Sequence, residues 1–126
     1  MVTGLLDTSI VVDALRSHPP SVSWLANNQG QLGVTQIVRL EVVEGALDRA
    51  GEQRAITLLN DFELVEITTS DLAWAFEQLL HLHLSDNVDA FDCLIAATSY
   101  RLRLPLYTIN IKHFTPLLSG LAQRPY

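Results

Sequence analysis

The stretch Asp89–Phe114, DAFDCLIAATSYRLRLPLYTINIKHF, constrains the fold most. It predicts one helix, a tight turn, one buried strand and a polar tip. Phe91, Leu94, Ile95, Thr98 and Leu102 recur at steps of three and four, the period of an amphipathic helix. The segment PLYTI, Pro105 to Ile109, is the strand. Pro105 can open it because a missing N–H is tolerated at a strand's first position. Asn110 then stands at the strand's end, where an α/β sheet presents its ligand-binding loops. Asp92 sits against the most apolar part of the helix, CLIAA. A carboxylate in such surroundings is costly to desolvate unless something positive binds it.

The rest of the chain repeats this alternation. TGLLD, residues 3–7, is a short buried strand ending in Asp7. Thr8 or Ser9 can cap a helix whose apolar face is Ile10, Val11, Ala14 and Leu15. That helix stops near Ser17-His18-Pro19-Pro20, and a second runs from about Ser21 to Asn28. QLGV, residues 31–34, is the next strand. Thr35 caps a helix from about Gln36 to Arg49, with Ile37, Leu40, Val43 or Glu44, and Leu47 marking its period. Gly51 breaks the chain and helix resumes over Glu52–Asn60. FELVEI, residues 62–67, alternates as a strand does. Thr69-Ser70-Asp71 caps a helix to about Leu84, with Trp74 or Ala75, Leu79 and Leu82 facing inward. The tail after Phe114 predicts one short edge strand and then fraying. Strands alternating with helices point to a mostly parallel sheet covered by helices, in one domain over residues 1–126.

Composition narrows the function classes. A hydrophobic fraction of 48% supports a sizeable core, and only 17% of residues are charged, which excludes a disordered chain. No apolar run is long enough for a membrane helix. The N-terminus lacks a basic leader region, and the lone Cys93 fits a reducing cytoplasm. The formal net charge is −6, which argues against strong non-specific nucleic-acid binding. It leaves room for a nuclease, because acids gathered around a cation do not repel a phosphate once the cation is bound.

Three acids share an unusual setting, each inside or against an apolar run: Asp7 after LL, Glu41 in RLEVVEGA, Asp92 in FDCLIAA. One ends a strand and two sit on helices, so they can converge on a point. Oxygen ligands of that kind suit Mg²⁺ or Mn²⁺. LLDTSIVVDAL, RLEVVEGA and DCLIAATSYRLRLPLYTINIKHF together resemble the PIN domain, and in particular the VapC-type toxins of toxin–antitoxin pairs. These segments span positions 5 to 114. The resemblance implies a three-layer α/β/α sandwich and a divalent-metal-dependent endoribonuclease acting as a toxin. It implies a catalytic set of Asp7, Glu41, Asp92 and Asn110, with Asp7 and Asp92 holding Mg²⁺ or Mn²⁺. It also implies a small antitoxin as partner, an RNA substrate and a homodimer, for which the apolar surface of residues 21–60 is a candidate contact. Many relatives carry Asp where this chain has Asn110, so this site has one charge fewer.

Each acid also has a plainer reading. Asp7 alone reads equally well as a helix N-cap. Glu41 can pair with Arg39 or Arg49. Asp92 fits the first turn of a helix, a place that Asp89 fits better, which leaves Asp89 as a reserve ligand. All three together, in this order, favour the site. Thr8 and Thr108 stand beside the acids and can hydrogen-bond them. No histidine has the spacing of a general base; His81 and His83 point to different faces of their helix. Cys93 reads as a small core residue, and Trp24 and Trp74 as core or interface. Arg101, Arg103 and Lys112 are candidate RNA-backbone contacts or ordinary helix-terminal cations. Two competing functions remain: a phospho-accepting receiver domain, and a PIN-like binding module without catalysis.

Overall fold

The computed structural model describes residues 1–126. In chain order the elements are β1 (Gly4–Leu6), α1 (Thr8–Leu15), α2 (Pro19–Asn27), β2 (Leu32–Thr35), α3 (Gln36–Glu44), α4 (Arg49–Leu59), β3 (Glu63–Val65), α5 (Thr69–Leu82), α6 (Ala90–Leu102), β4 (Leu106–Tyr107) and α7 (Ile111–Leu118). A single 3-10 turn, Ser119–Leu121, leads into β5 (Ala122–Gln123). The sheet has the order β3-β2-β1-β4-β5, and every pairing is parallel. A receiver domain has the order β2-β1-β3-β4-β5, so that competitor is excluded.

Parallel strands must be covered on both faces, and β1 and β2 are buried throughout. Helix α1 packs on α2, α3 and α4, while α6 packs on α5 and α7. Leu5, Ile10, Val34, Val38, Leu106 and Phe114 lie at the centre of the core. Gly4 is required by close approach: a Cβ there would collide with the Tyr107 ring on the neighbouring strand. That ring in turn packs edge-on to Trp24, with centroids 4.7 Å apart.

Several predicted details differ. The polar tip after Asn110 is helix α7, which contains Pro116. The chain end does not fray, since the Tyr126 hydroxyl donates to Asp13 Oδ2 at 2.9 Å. Helix α3 ends at Glu44, and its buried residues are Val38 and Val42, while Leu40 and Leu47 are exposed. On α6 the buried face is Cys93, Ile95, Ala96, Ala97, Thr98 and Ser99, with Phe91 and Leu102 on the surface. Helix α6 is packed closely against α5. Small residues let two helices approach, so the bulky ones are left outside.

Candidate active site

The central strand β1 delivers Asp7 to the carboxyl edge of the sheet. Asp7 occupies the N-cap position of α1, yet its side chain caps nothing. Its Oδ2 instead accepts hydrogen bonds from Ser9 Oγ and Thr108 Oγ1, each at 2.7 Å. Both are well-formed O–H···O hydrogen bonds with the hydroxyls donating. Asp7, rather than Thr8 or Ser9, thus holds the N-cap position, but its side chain gives the helix no capping hydrogen bond. Thr108 follows β4, the strand paired with β1, and lies within reach of Asp7 because of that pairing.

Glu41 comes from α3 and is held by Thr8, whose Oγ1 donates to Oε1 at 2.7 Å. Neither arginine suggested by the sequence reaches it: Arg39 bonds Gln36 and Arg49 pairs with Glu52. Burial raises the Glu41 carboxyl above its ordinary range; Thr8 opposes this, and the charges of Asp7, Asp89 and Asp92 raise it further. Glu41 thus feels the charges of all three other acids. The contact between α3 and α6 brings this about.

Asp89 and Asp92 form a capping box at the start of α6. Asp89 Oδ1 accepts from the Asp92 N–H at 2.8 Å, and Asp92 Oδ2 from the Asp89 N–H at 3.4 Å. The plain reading of Asp92 as a first-turn acid is correct as far as it goes, and Asp89 is the N-cap before it. Asp92 is also raised, first by burial and then by the Asp89 charge, against the Asp89 N–H and His113. His113 Nδ1 lies 3.3 Å from Asp92 Oδ2. Nothing in the residues around His113 singles it out, because its place beside Asp92 depends on helix α7. Asn110 stands exposed at the head of α7; its backbone N–H donates to Thr108 Oγ1 at 2.9 Å.

The candidate RNA contacts divide. Arg101 is bound internally: Nε donates to the buried Asp71 at 2.9 Å and Nη2 to the Glu66 carbonyl at 3.1 Å. Arg103 ends α6 in a left-handed conformation, with its guanidinium 4.9 Å from the centre of the Tyr100 ring. Lys112 is exposed on α7. Cys93 is buried and its thiol is pushed up to about 11 by burial and the nearby acids, as a core cysteine should be.

No three of the acidic, histidine or cysteine side chains form a ready metal cage. The donor set nonetheless fits a hard divalent cation that takes one or two protein carboxylates and keeps its waters. It offers carboxylate oxygens only, from chains that repel one another.

The PIN domain family profile matches residues 4–111. The chain belongs to the PIN domain family. It is 33% identical over 127 residues to Ribonuclease VapC19 of Mycobacterium tuberculosis, covering 97% of this chain and 98% of that relative. Among solved structures, a toxin–antitoxin complex from Klebsiella pneumoniae is similar with a TM-score of 0.76 and 28% identity, over 98% of each chain. VapBC2 from Rickettsia felis, bound to a DNA fragment from their promoter, is similar with a TM-score of 0.72 and 25% identity. That match covers 91% of this chain and 92% of the other. In this PIN domain Asp7 lies at the carboxyl end of β1, the central strand of an all-parallel sheet.

Proposed function

We propose that this chain is the ribonuclease toxin of a toxin–antitoxin pair, one domain over residues 1–126, hydrolysing phosphodiester bonds in RNA with Mg²⁺ or Mn²⁺. The observation that carries the reading is Glu41, held by Thr8 where it feels the charges of Asp7, Asp89 and Asp92. Acids that repel one another at a sheet edge mark a place built for a cation. Asp7 and Asp92 would hold the ion, with Asp89 in reserve. A bound divalent ion lowers the pKa of a water it holds and neutralises charge on the scissile phosphate. Glu41, more basic than an ordinary glutamate, orients the attacking water. Asn110, exposed beside the network, positions water or a phosphate oxygen through its amide. Arg103 and Lys112 are left to contact the RNA backbone. With a net charge of −6, the protein has little general attraction for a polyanion, so recognition rests on RNA shape and a few local contacts.

The partner is an antitoxin. A cleft of about 620 Å³, lined by Ile37, Leu40, Val43, Ile56 and Phe91, opens beside Glu41 and suits an antitoxin segment. A basic side chain on that segment would reach the acids and replace the cation. For a homodimer, residues 21–60 contribute the exposed Val22, Leu40, Leu47 and Ile56, and α5 presents Leu72, Phe76 and Leu80. Those on α5 recur every four residues on one helix face, the pattern a second copy would cover. The free buried Cys93 supports a cytoplasmic location, and no helix is long and apolar enough to cross a membrane.

The test is cleavage of a structured RNA by the purified protein with Mg²⁺ or Mn²⁺. Cutting at one or a few places, stopped by EDTA, is expected. Cutting that persists in excess EDTA would overturn the metal-dependent reading and favour a binding module contaminated by another nuclease.

A further inference from the structure

The three carboxylates share a feature that their positions in the fold do not require. On each, one oxygen is tied by donors from the protein and the other has none. Asp7 Oδ2 takes two hydroxyls, Glu41 Oε1 takes the Thr8 hydroxyl, and Asp92 Oδ2 faces the Asp89 N–H and His113 Nδ1. No buried side-chain oxygen in the protein lacks a partner, so the untied oxygens, Asp7 Oδ1 among them, must reach solvent. For Asp7 this holds although the residue as a whole is only 4% exposed.

The ties on Asp7 are also directed. Ser9 Oγ accepts the Ile109 N–H at 3.2 Å, and Thr108 Oγ1 accepts the Asn110 N–H at 2.9 Å. Each hydroxyl has one proton, and with an amide pointing at its lone pair that proton is free to go to Asp7. The turn from β4 to α7 thus sets both hydroxyls, and they set the carboxylate. The ties on Asp92, at 3.3 and 3.4 Å, are longer and weaker than the two 2.7 Å bonds on Asp7.

We infer that Ser9 and Thr108, aided by Thr8 and His113, make the site discriminate against Ca²⁺ by presenting a single oxygen of each carboxylate to a cation. This rests on the reading of the acids as a divalent-cation site and names what selects the ion there. Mg²⁺ accepts single carboxylate oxygens and retains waters in an octahedron, whereas Ca²⁺ takes more ligands and commonly grips both oxygens of one carboxylate. A two-oxygen grip on Asp7 would have to compete with the hydroxyls for Oδ2, where two donors already fill the acceptor positions. Ser9 and Thr108 are positioning residues; they act through Asp7.

The experiment is calorimetric titration of Mg²⁺, Mn²⁺ and Ca²⁺ into the metal-free protein, comparing wild type with Ser9→Ala/Thr108→Val. The ratio of Ca²⁺ to Mg²⁺ dissociation constants should fall about tenfold in the double variant, the lower end of what partners of metal ligands usually contribute. Thr108→Ser, which keeps the hydroxyl, should leave the ratio at the wild-type value. Ser9→Ala alone, which removes one of two donors, should give an intermediate ratio and serves if the double variant does not fold. A ratio unchanged within twofold in folded Ser9→Ala and in the double variant would overturn the inference while leaving the metal site intact. Failure of wild type to bind any of the three ions would instead overturn the metal-site reading itself.

Discussion

Replacing Arg101 by alanine separates two roles that its sequence position leaves open. Asp71 is 2% exposed, and its Oδ1 is held by Arg101 Nε at 2.9 Å. Its Oδ2 accepts the Thr68 N–H at 2.9 Å as part of the cap of α5. Arg101→Ala would leave that second bond and strand Oδ1. Removing one partner of a fully buried pair costs ~3–5 kcal/mol. The Arg101 side chain is one-third exposed, at 33%, so water can enter and the loss should be nearer ~2 kcal/mol. For a chain of this size that is a fall in Tm of roughly 6–10 °C.

The pH dependence supplies the sign. Burial pushes the Asp71 carboxyl up, but the Arg101 and Thr68 hydrogen bonds outweigh it and hold it below the ordinary aspartate value of 3.8. A depressed folded value means the contribution is complete above 3.8 and is lost as pH falls below it towards the folded value. Arg101→Ala should therefore be less stable than wild type at pH 7, with the gap narrowing in acid. Thermal unfolding followed by circular dichroism across pH 2.5–7 (about the accessible window) would measure it. RNA cleavage at a temperature where both proteins are folded should be unchanged. Lost cleavage with unchanged Tm would refute the structural role and return Arg101 to the RNA surface.

Three further outcomes are expected. Glu41→Gln removes a charge that its neighbours repel, so the metal-free protein should melt higher while Mn²⁺ binding weakens; a lower Tm would show that the acids do not repel one another there. Cys93 should resist thiol reagents at pH 8, where an exposed thiol of pKa about 8.5 reacts readily, and react only as fast as the protein unfolds, because its thiol is buried and pushed up to about 11; rapid labelling of folded protein would contradict this. Antitoxin binding should prevent Mn²⁺ binding, read by calorimetry on the complex; a fully metallated complex with open acids would refute inhibition by cation replacement.

The parallel sheet was legible because short apolar runs ended by turn residues alternate with helical periods, and that pattern survives any misplaced boundary. Asp7, Glu41 and Asp92 were legible for one physical reason: ionised groups rarely sit in apolar runs without a partner. Their partners were less so. Thr8 and Thr108 are neighbours in sequence to the acids' strands and were foreseen as hydrogen-bond donors. Ser9 looked like one of two alternative caps, and nothing in a hydroxyl's sequence context tells which oxygen it will face. His113 was missed because Thr115 and Pro116 disguise α7 as a polar tip. The helix stripes were misread where packing reverses the usual rule. Leu40, Phe91 and Leu102 have the size and period of core residues, yet they lie outside. Single-chain periodicity cannot distinguish a core from a surface kept apolar for a partner.

If Asp7 anchors a metal-dependent ribonuclease site, the cleavage rate of Asp7→Asn shows it. Asparagine keeps the shape of the side chain and an oxygen for Ser9 and Thr108, but not the charge. Cleavage of a structured RNA in saturating Mn²⁺ should fall by ~10²-fold or more, the scale seen when one electrostatic stabiliser is removed, while the circular dichroism spectrum stays that of wild type. Cleavage at the wild-type rate by folded Asp7→Asn would contradict the assignment.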